Sequence, residues 1–135
     1  MAIALEPALP GRQRMTVLRV LIVEDDPLIA FALEELLAGM GHVVCATVDT
    51  ETQAVAAADQ QRPDLMLVDA GLREGSGIAA VEKILRAGPV AHVFITGDPG
   101  KVQASRPGAA FLRKPFREAD LTKAIESAMK SASVG

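Results

Sequence analysis

Five residues spread along the chain carry side chains that can act together on a phosphoryl group: Glu24, Asp25, Asp69, Thr96 and Lys114. Each sits at the end of a short apolar run, at residues 20–23, 65–68, 93–95 and 109–112. If those runs are parallel strands, their carboxyl ends form one rim, and that rim is where open α/β sheets bind ligands. Three carboxylates, a hydroxyl and an ammonium on one rim can hold a divalent metal and a phosphoryl group.

The elements that must position these residues follow from apolar periodicity. Residues 17–23 are β-branched and apolar, which predicts a buried strand. Asp26-Pro27 reads as an N-cap with Pro at the first helical position. Leu28, Phe31, Ala32, Leu33, Leu36 and Leu37 form a helical stripe that ends near Gly39 and Gly41. Residues 42–48 read as a second strand, 50–61 as an alanine-rich helix opened by Thr50, and 65–68 as a third strand after Pro63. Residues 76–87 form the third helix, with Ile78, Val81, Ile84 and Leu85 inward; 90–95 form the fourth strand. Between Pro99 and Pro107 there is room for barely two helical turns, and Gly and Pro penalise even those. Residues 109–112 give the fifth strand and 117–131 the last helix. Five strand–helix alternations with right-handed crossovers predict a doubly wound parallel sheet with helices on both faces.

Composition narrows the function classes. The chain has 135 residues, enough for one core, and a net charge of −3 that argues against a nucleic-acid binder. No apolar run approaches a membrane span, and residues 1–15 lack a secretory signal pattern. A single cysteine, Cys45, cannot form an internal disulfide, which suits a cytoplasmic protein; it reads as a small buried hydrophobe. Residues 1–16 read as a flexible leader, with Met15 as an alternative start, and 17–132 as one domain. His42 and His92 flank strands without metal-ligand partners, so solvent-facing structural roles are expected; Phe31 and Phe94 are assigned to the core.

Four motifs carry a family resemblance: Leu21-Ile22-Val23-Glu24-Asp25-Asp26-Pro27, Leu67-Val68-Asp69, Ile95-Thr96-Gly97 and Leu112-Arg113-Lys114-Pro115-Phe116. In this order, each ending a predicted strand, they make residues 17–131 resemble the receiver domains of two-component response regulators. The resemblance implies a flavodoxin-like (CheY-like) five-stranded sheet of order 2-1-3-4-5. It implies that Asp69 accepts a phosphoryl group from a phosphohistidine on a sensor histidine kinase or histidine phosphotransferase. Asp25 matches the direct Mg²⁺ ligand, Glu24 the neighbour that reaches the metal through water, and Gly71 the donor of a backbone carbonyl. Thr96 and Lys114 match the groups that bind phosphoryl oxygens. Phe111 matches the switch position, three residues before Lys114, whose ring turns inward on activation; the alternative is a permanently buried core Phe. Apart from the phosphoryl transfer to Asp69, no enzyme activity is implied.

Several positions depart from that pattern. Arg73 stands where proline is common, which predicts a more mobile loop over residues 70–75. Gly97 follows Thr96 where alanine is commoner, leaving room beside the phosphoryl site. The segment from Thr96 to Lys114 is short and rich in Gly and Pro, so the fourth helix is expected to be short, irregular or mobile. That matters because the fourth helix, fifth strand and fifth helix form the family's usual output and pairing face, which leaves a monomer or weak dimer expected. Phe94-Ile95-Thr96-Gly97 resembles a receiver subgroup with a Phe-Ala-Thr-Gly motif, associated with alphaproteobacterial stress signalling. No output domain follows the last helix, so output is expected through contact with a downstream protein; the alternative is a receiver fragment of a longer regulator. Two rival readings are a receiver-like interaction module that signals without phosphorylation and a flavodoxin-like nucleotide enzyme. The second is disfavoured because acidic residues, not a Gly-rich phosphate loop, follow the first strand.

Overall fold

A computed structural model describes residues 16–134. Ten elements alternate: β1 (Arg19–Val23), α1 (Pro27–Gly39), β2 (Val43–Val48), α2 (Glu51–Gln61), β3 (Leu65–Asp69), α3 (Gly77–Ala87), β4 (Ala91–Thr96), α4 (Pro99–Ser105), β5 (Ala110–Arg113) and α5 (Glu118–Val134). The strands make one sheet in the order β2-β1-β3-β4-β5, with every pairing parallel. This is the flavodoxin-like order 2-1-3-4-5. The expected leader, residues 1–16, lies outside the described residues except for Thr16.

The alternation of side chains along the central strands explains the two-faced core. Val20 and Ile22 of β1, with Leu65 and Leu67 of β3, join the cluster under α1 and α5. Leu21 and Val23, with Met66 and Val68, join the cluster under α2, α3 and α4. A strand buried on both sides needs an unbroken apolar run, and both runs are unbroken. Helix starts are fixed by side-chain caps. Asp26 accepts from Leu28 N (2.9 Å), Thr50 from Gln53 N (3.1 Å) and Ser76 from Ala79 N (3.2 Å). The α4 helix has only seven residues and is capped by Asp98, which accepts from Lys101 N at 3.3 Å. It is short, as expected, but regular.

Three expectations need correction. Phe31 is not core: it is 60% exposed, and Leu28 is 79% exposed. The buried side of α1 is Ala30, Leu33 and Leu37. At about 100° per residue, Phe31 lies roughly 160° around the helix from Leu33, so the two cannot share a face. The helix is apolar nearly all round, and only the sheet decides which residues are covered. The histidines are not solvent-facing. His42 accepts from Leu18 N at 3.1 Å, and His92 donates to the Val90 carbonyl at 2.8 Å while its ring meets Phe94 edge-on at 5.5 Å. Nor is the loop over residues 70–75 loosely held. Gly71 N donates to Asp69 (2.9 Å), Arg73 N to Asp25 (2.6 Å), Glu51 N to the Glu74 carbonyl (3.2 Å) and Gly77 N to the Ala70 carbonyl (3.3 Å), and Leu72 is buried. Phe94 is fully buried, as expected, and half-buried Cys45 packs on the second cluster. No described helix is long and apolar enough to cross a membrane.

Candidate functional site

The five residues do meet at the carboxyl rim. Glu24 and Asp25 follow β1, and Glu24 N bonds to the Val48 carbonyl (2.9 Å), which fixes the turn off the strand. Asp69 is the last residue of β3 and Thr96 the last of β4. Lys114 follows β5, and its N–H donates to the Thr96 carbonyl at 2.9 Å, so these two positions are locked together by the sheet. One carboxylate oxygen from each of Glu24, Asp25 and Asp69 lies within 4.8 Å of the others. The Lys114 Nζ stands 3.3 Å from Asp69 Oδ2 and 3.8 Å from Glu24 Oε1. Asp69, Gly71, Thr96 and Lys114 line one open depression of about 380 Å³.

Gly77 explains how Asp69 is held at the rim. A Cβ on Gly77 would come within 1.9 Å of the Asp69 carbonyl oxygen, so only glycine lets the start of α3 press against the end of β3. Gly71, two residues past Asp69, donates its N–H to Asp69 Oδ1, turning the chain directly over the carboxylate. On the other side of the pocket, Thr96 Oγ1 accepts from Asp98 N at 2.8 Å. Phe111 stands apart from the rim. It sits on β5 opposite Phe94, is 38% exposed, and lines a groove with Arg113, Lys123 and Ala124. The reading of Phe111 as a buried core residue is therefore set aside.

The electrostatics centre on Glu24. Its side chain is buried, and its pKa is pushed up to about 8, first by burial and then by the adjacent Asp69 carboxylate; the Asp26 N–H and Lys114 pull the other way. Its Oε2 accepts from Asp26 N at 3.1 Å, but its Oε1 is the one buried side-chain polar atom without a hydrogen-bond partner among the described residues. A buried acceptor left unpaired is costly. A buried carboxyl oxygen with no hydrogen bond, faced only by the Lys114 ammonium at 3.8 Å and beside two further carboxylates, suits a hard divalent cation with oxygen ligands. The donor set therefore fits Mg²⁺, with Glu24, Asp25 and Asp69 as the side chains that would hold it.

Sequence reasoning missed two residues here, Gly77 and Lys101, and the site contact of a third, Arg73. Gly77 is visible in the sequence only as the residue after a helix cap. Lys101, in the first turn of α4, is a second lysine lining the depression. Arg73 reaches Asp25: its N–H donates to Asp25 Oδ2 at 2.6 Å, and its Nε lies 3.6 Å from the same oxygen. No spacing rule links residues 48 positions apart.

Comparison with known proteins agrees with this architecture. The family model for the response regulator receiver domain matches residues 20–126. The chain is 42% identical over 114 residues to the phyllosphere-induced regulator PhyR of Methylorubrum extorquens, covering 82% of this chain and 43% of PhyR. The solution structure of the Erythrobacter litoralis PhyR receiver domain superposes with a TM-score of 0.77 at 38% identity, over 87% of this chain and 93% of that one. The anti-anti-sigma factor PhyR of Bartonella quintana gives a TM-score of 0.77 at 31% identity, over 96% of this chain and 54% of that one. The chain thus spans about half the length of these two longer PhyR proteins. By matched model, fold and relatives alike, the chain belongs to the response regulator receiver domain family of two-component signalling.

Proposed function

We propose that this receiver, taken as residues 17–132, accepts a phosphoryl group on Asp69 from a phosphohistidine of a histidine kinase or phosphotransferase. The observation that carries the reading is the pairing of Asp69 with Lys114 at 3.3 Å beside two further carboxylates. One Asp69 carboxylate oxygen attacks phosphorus, the phosphorus–nitrogen bond breaks, and imidazole leaves with the electron pair, giving an acyl phosphate. Mg²⁺ would be held by Glu24, Asp25, Asp69 and the Gly71 carbonyl and, when bound, would supply positive charge against the incoming anion. The Lys114 ammonium moves from the carboxylate to the phosphoryl oxygens. The Thr96 hydroxyl leaves the Asp98 N–H to donate to them, which frees space for the exposed Phe111 ring to turn inward. The output is a change of protein contact at the α4-β5-α5 face rather than turnover of a substrate, in the cytoplasm. Similarity to PhyR, named in B. quintana as an anti-anti-sigma factor, supports a place in PhyR-type signalling.

Phosphate-affinity electrophoresis after incubation with acetyl phosphate tests the assignment. Wild type should shift only with Mg²⁺, and Asp69→Ala should not shift at all. A shift that persists in Asp69→Ala would move the acceptor elsewhere.

A further inference from the structure

The three carboxylates do not share one counter-charge. Lys114 covers Glu24 and Asp69, and among the described residues it makes no ion pair with Asp25. Asp25 is covered from the other side by Arg73. Its Oδ2 takes both the Arg73 backbone N–H (2.6 Å) and the approach of Nε (3.6 Å), while Arg73 Nη2 donates to the Asp25 carbonyl at 3.4 Å. The Asp25 side chain is only 14% exposed, whereas that of Arg73 is 76% exposed. An exposed cation thus sits at the mouth of a sheltered carboxylate. The same loop holds a second carboxylate, because Gly71 N donates to Asp69 Oδ1. Two amides, two residues apart, therefore pin two of the three carboxylates.

We infer that Arg73 is a tethered counter-cation that occupies Asp25 in the metal-free protein and competes with the divalent ion for it. This rests on the reading above that Mg²⁺ binds at this cluster. The guanidinium lowers metal affinity in two ways. It stands 3.6 Å from Asp25 Oδ2 in an ion pair that the metal must displace, and it adds positive charge at the ion's approach. Because the competing group lies on the β3–α3 loop, metal uptake also releases the loop from Asp25. Arg73 is a positioning residue: it acts through Asp25. An exposed guanidinium pair contributes little in water, so the competition is modest: removing the side chain should tighten Mg²⁺ binding by about two- to five-fold.

The test is an NMR titration with MgCl₂ of the isotope-labelled full chain, as wild type, Arg73→Ala, Arg73→Lys and Lys101→Ala. Arg73→Ala should bind Mg²⁺ about two- to five-fold more tightly than wild type, and Arg73→Lys should return towards the wild-type affinity. Lys101→Ala removes a neighbouring exposed cation that does not touch Asp25, and its affinity should change less. In wild type, amide exchange at Arg73 should be slow without Mg²⁺ and accelerate when it is added. Equal or weaker binding in Arg73→Ala overturns the inference, as does an equal gain in Lys101→Ala or an Arg73 amide indifferent to Mg²⁺. If wild type takes up no Mg²⁺ at all, the metal reading fails first and this inference falls with it.

Discussion

The two ends of the same parallel sheet solve one problem in opposite ways. At the amino ends of the strands every polar group named here finds a partner. Arg19 N donates to Asp64 Oδ2 (2.8 Å), Asp64 N returns a bond to the Arg19 carbonyl (2.8 Å), and Leu18 N donates to His42 (3.1 Å). The Arg19 guanidinium closes on the carbonyls of Gln61 and Arg62. At the carboxyl ends, three carboxylates crowd together and Glu24 Oε1 has no hydrogen-bond partner. Satisfied polar groups stabilise a fold, and clustered unsatisfied ones are retained at a cost where they serve a task. The contrast sets a satisfied rim against a strained one.

Substitutions of polar groups at the two rims should therefore differ in how they respond to pH and Mg²⁺. The largest effect is expected at Glu24. Its folded pKa of about 8 lies above the ordinary value of 4.5, so folding favours the protonated form. The stability this contributes is complete below the ordinary value and is lost as pH rises through about 8. In EDTA, Glu24→Gln should match wild type under acidic conditions and exceed it at about pH 9, as read from urea midpoints. Mg²⁺ should narrow or reverse that order by stabilising wild type more than the variant, which lacks one of the three carboxylates. A pH-independent difference between the two would mean that the rim carries no such strain.

Gly77→Ala should cost about 1–3 kcal/mol or more, because the new methyl collides with the Asp69 backbone rather than with a flexible side chain. An unchanged urea midpoint would show that α3 does not press on β3 as described. Arg19→Ala, at the opposite rim, should cost about 1 kcal/mol in urea unfolding with or without Mg²⁺, since its bonds are exposed and lie at the other end of the sheet from the carboxylate cluster. The smallest effect belongs to the histidines. Burial holds both His42 and His92 below the ordinary 6.5, so their contribution is present above that value and lost as pH falls through their lowered folded values. His92→Gln should blunt the loss of stability on mild acidification, measured by thermal unfolding; an identical acid slope would remove His92 from the account.

How much of this was legible depended on the kind of signal. The strands were legible because double burial demands unbroken apolar runs, as at residues 20–23 and 65–68. The rim residues were legible because each ends such a run, and topology then brings the ends together. Caps at Asp26, Thr50 and Ser76 were local and readable. The burial of α1 was not, because its apolar residues surround the helix and only packing selects Leu33 over Phe31. The loop after Asp69 was misread as mobile because its anchors, Asp25 and Glu51, lie far away in sequence. Gly77 looked like any glycine until the Asp69 carbonyl was seen against it.

The contrast between the rims is tested most directly by mapping Mg²⁺-induced amide shifts on the wild-type chain. The account predicts shifts at Glu24, Asp25, Asp69, Gly71 and Arg73, and none at Arg19, His42 or Asp64. Shifts centred on the Arg19–Asp64 rim, or none at the carboxylate cluster, would contradict it.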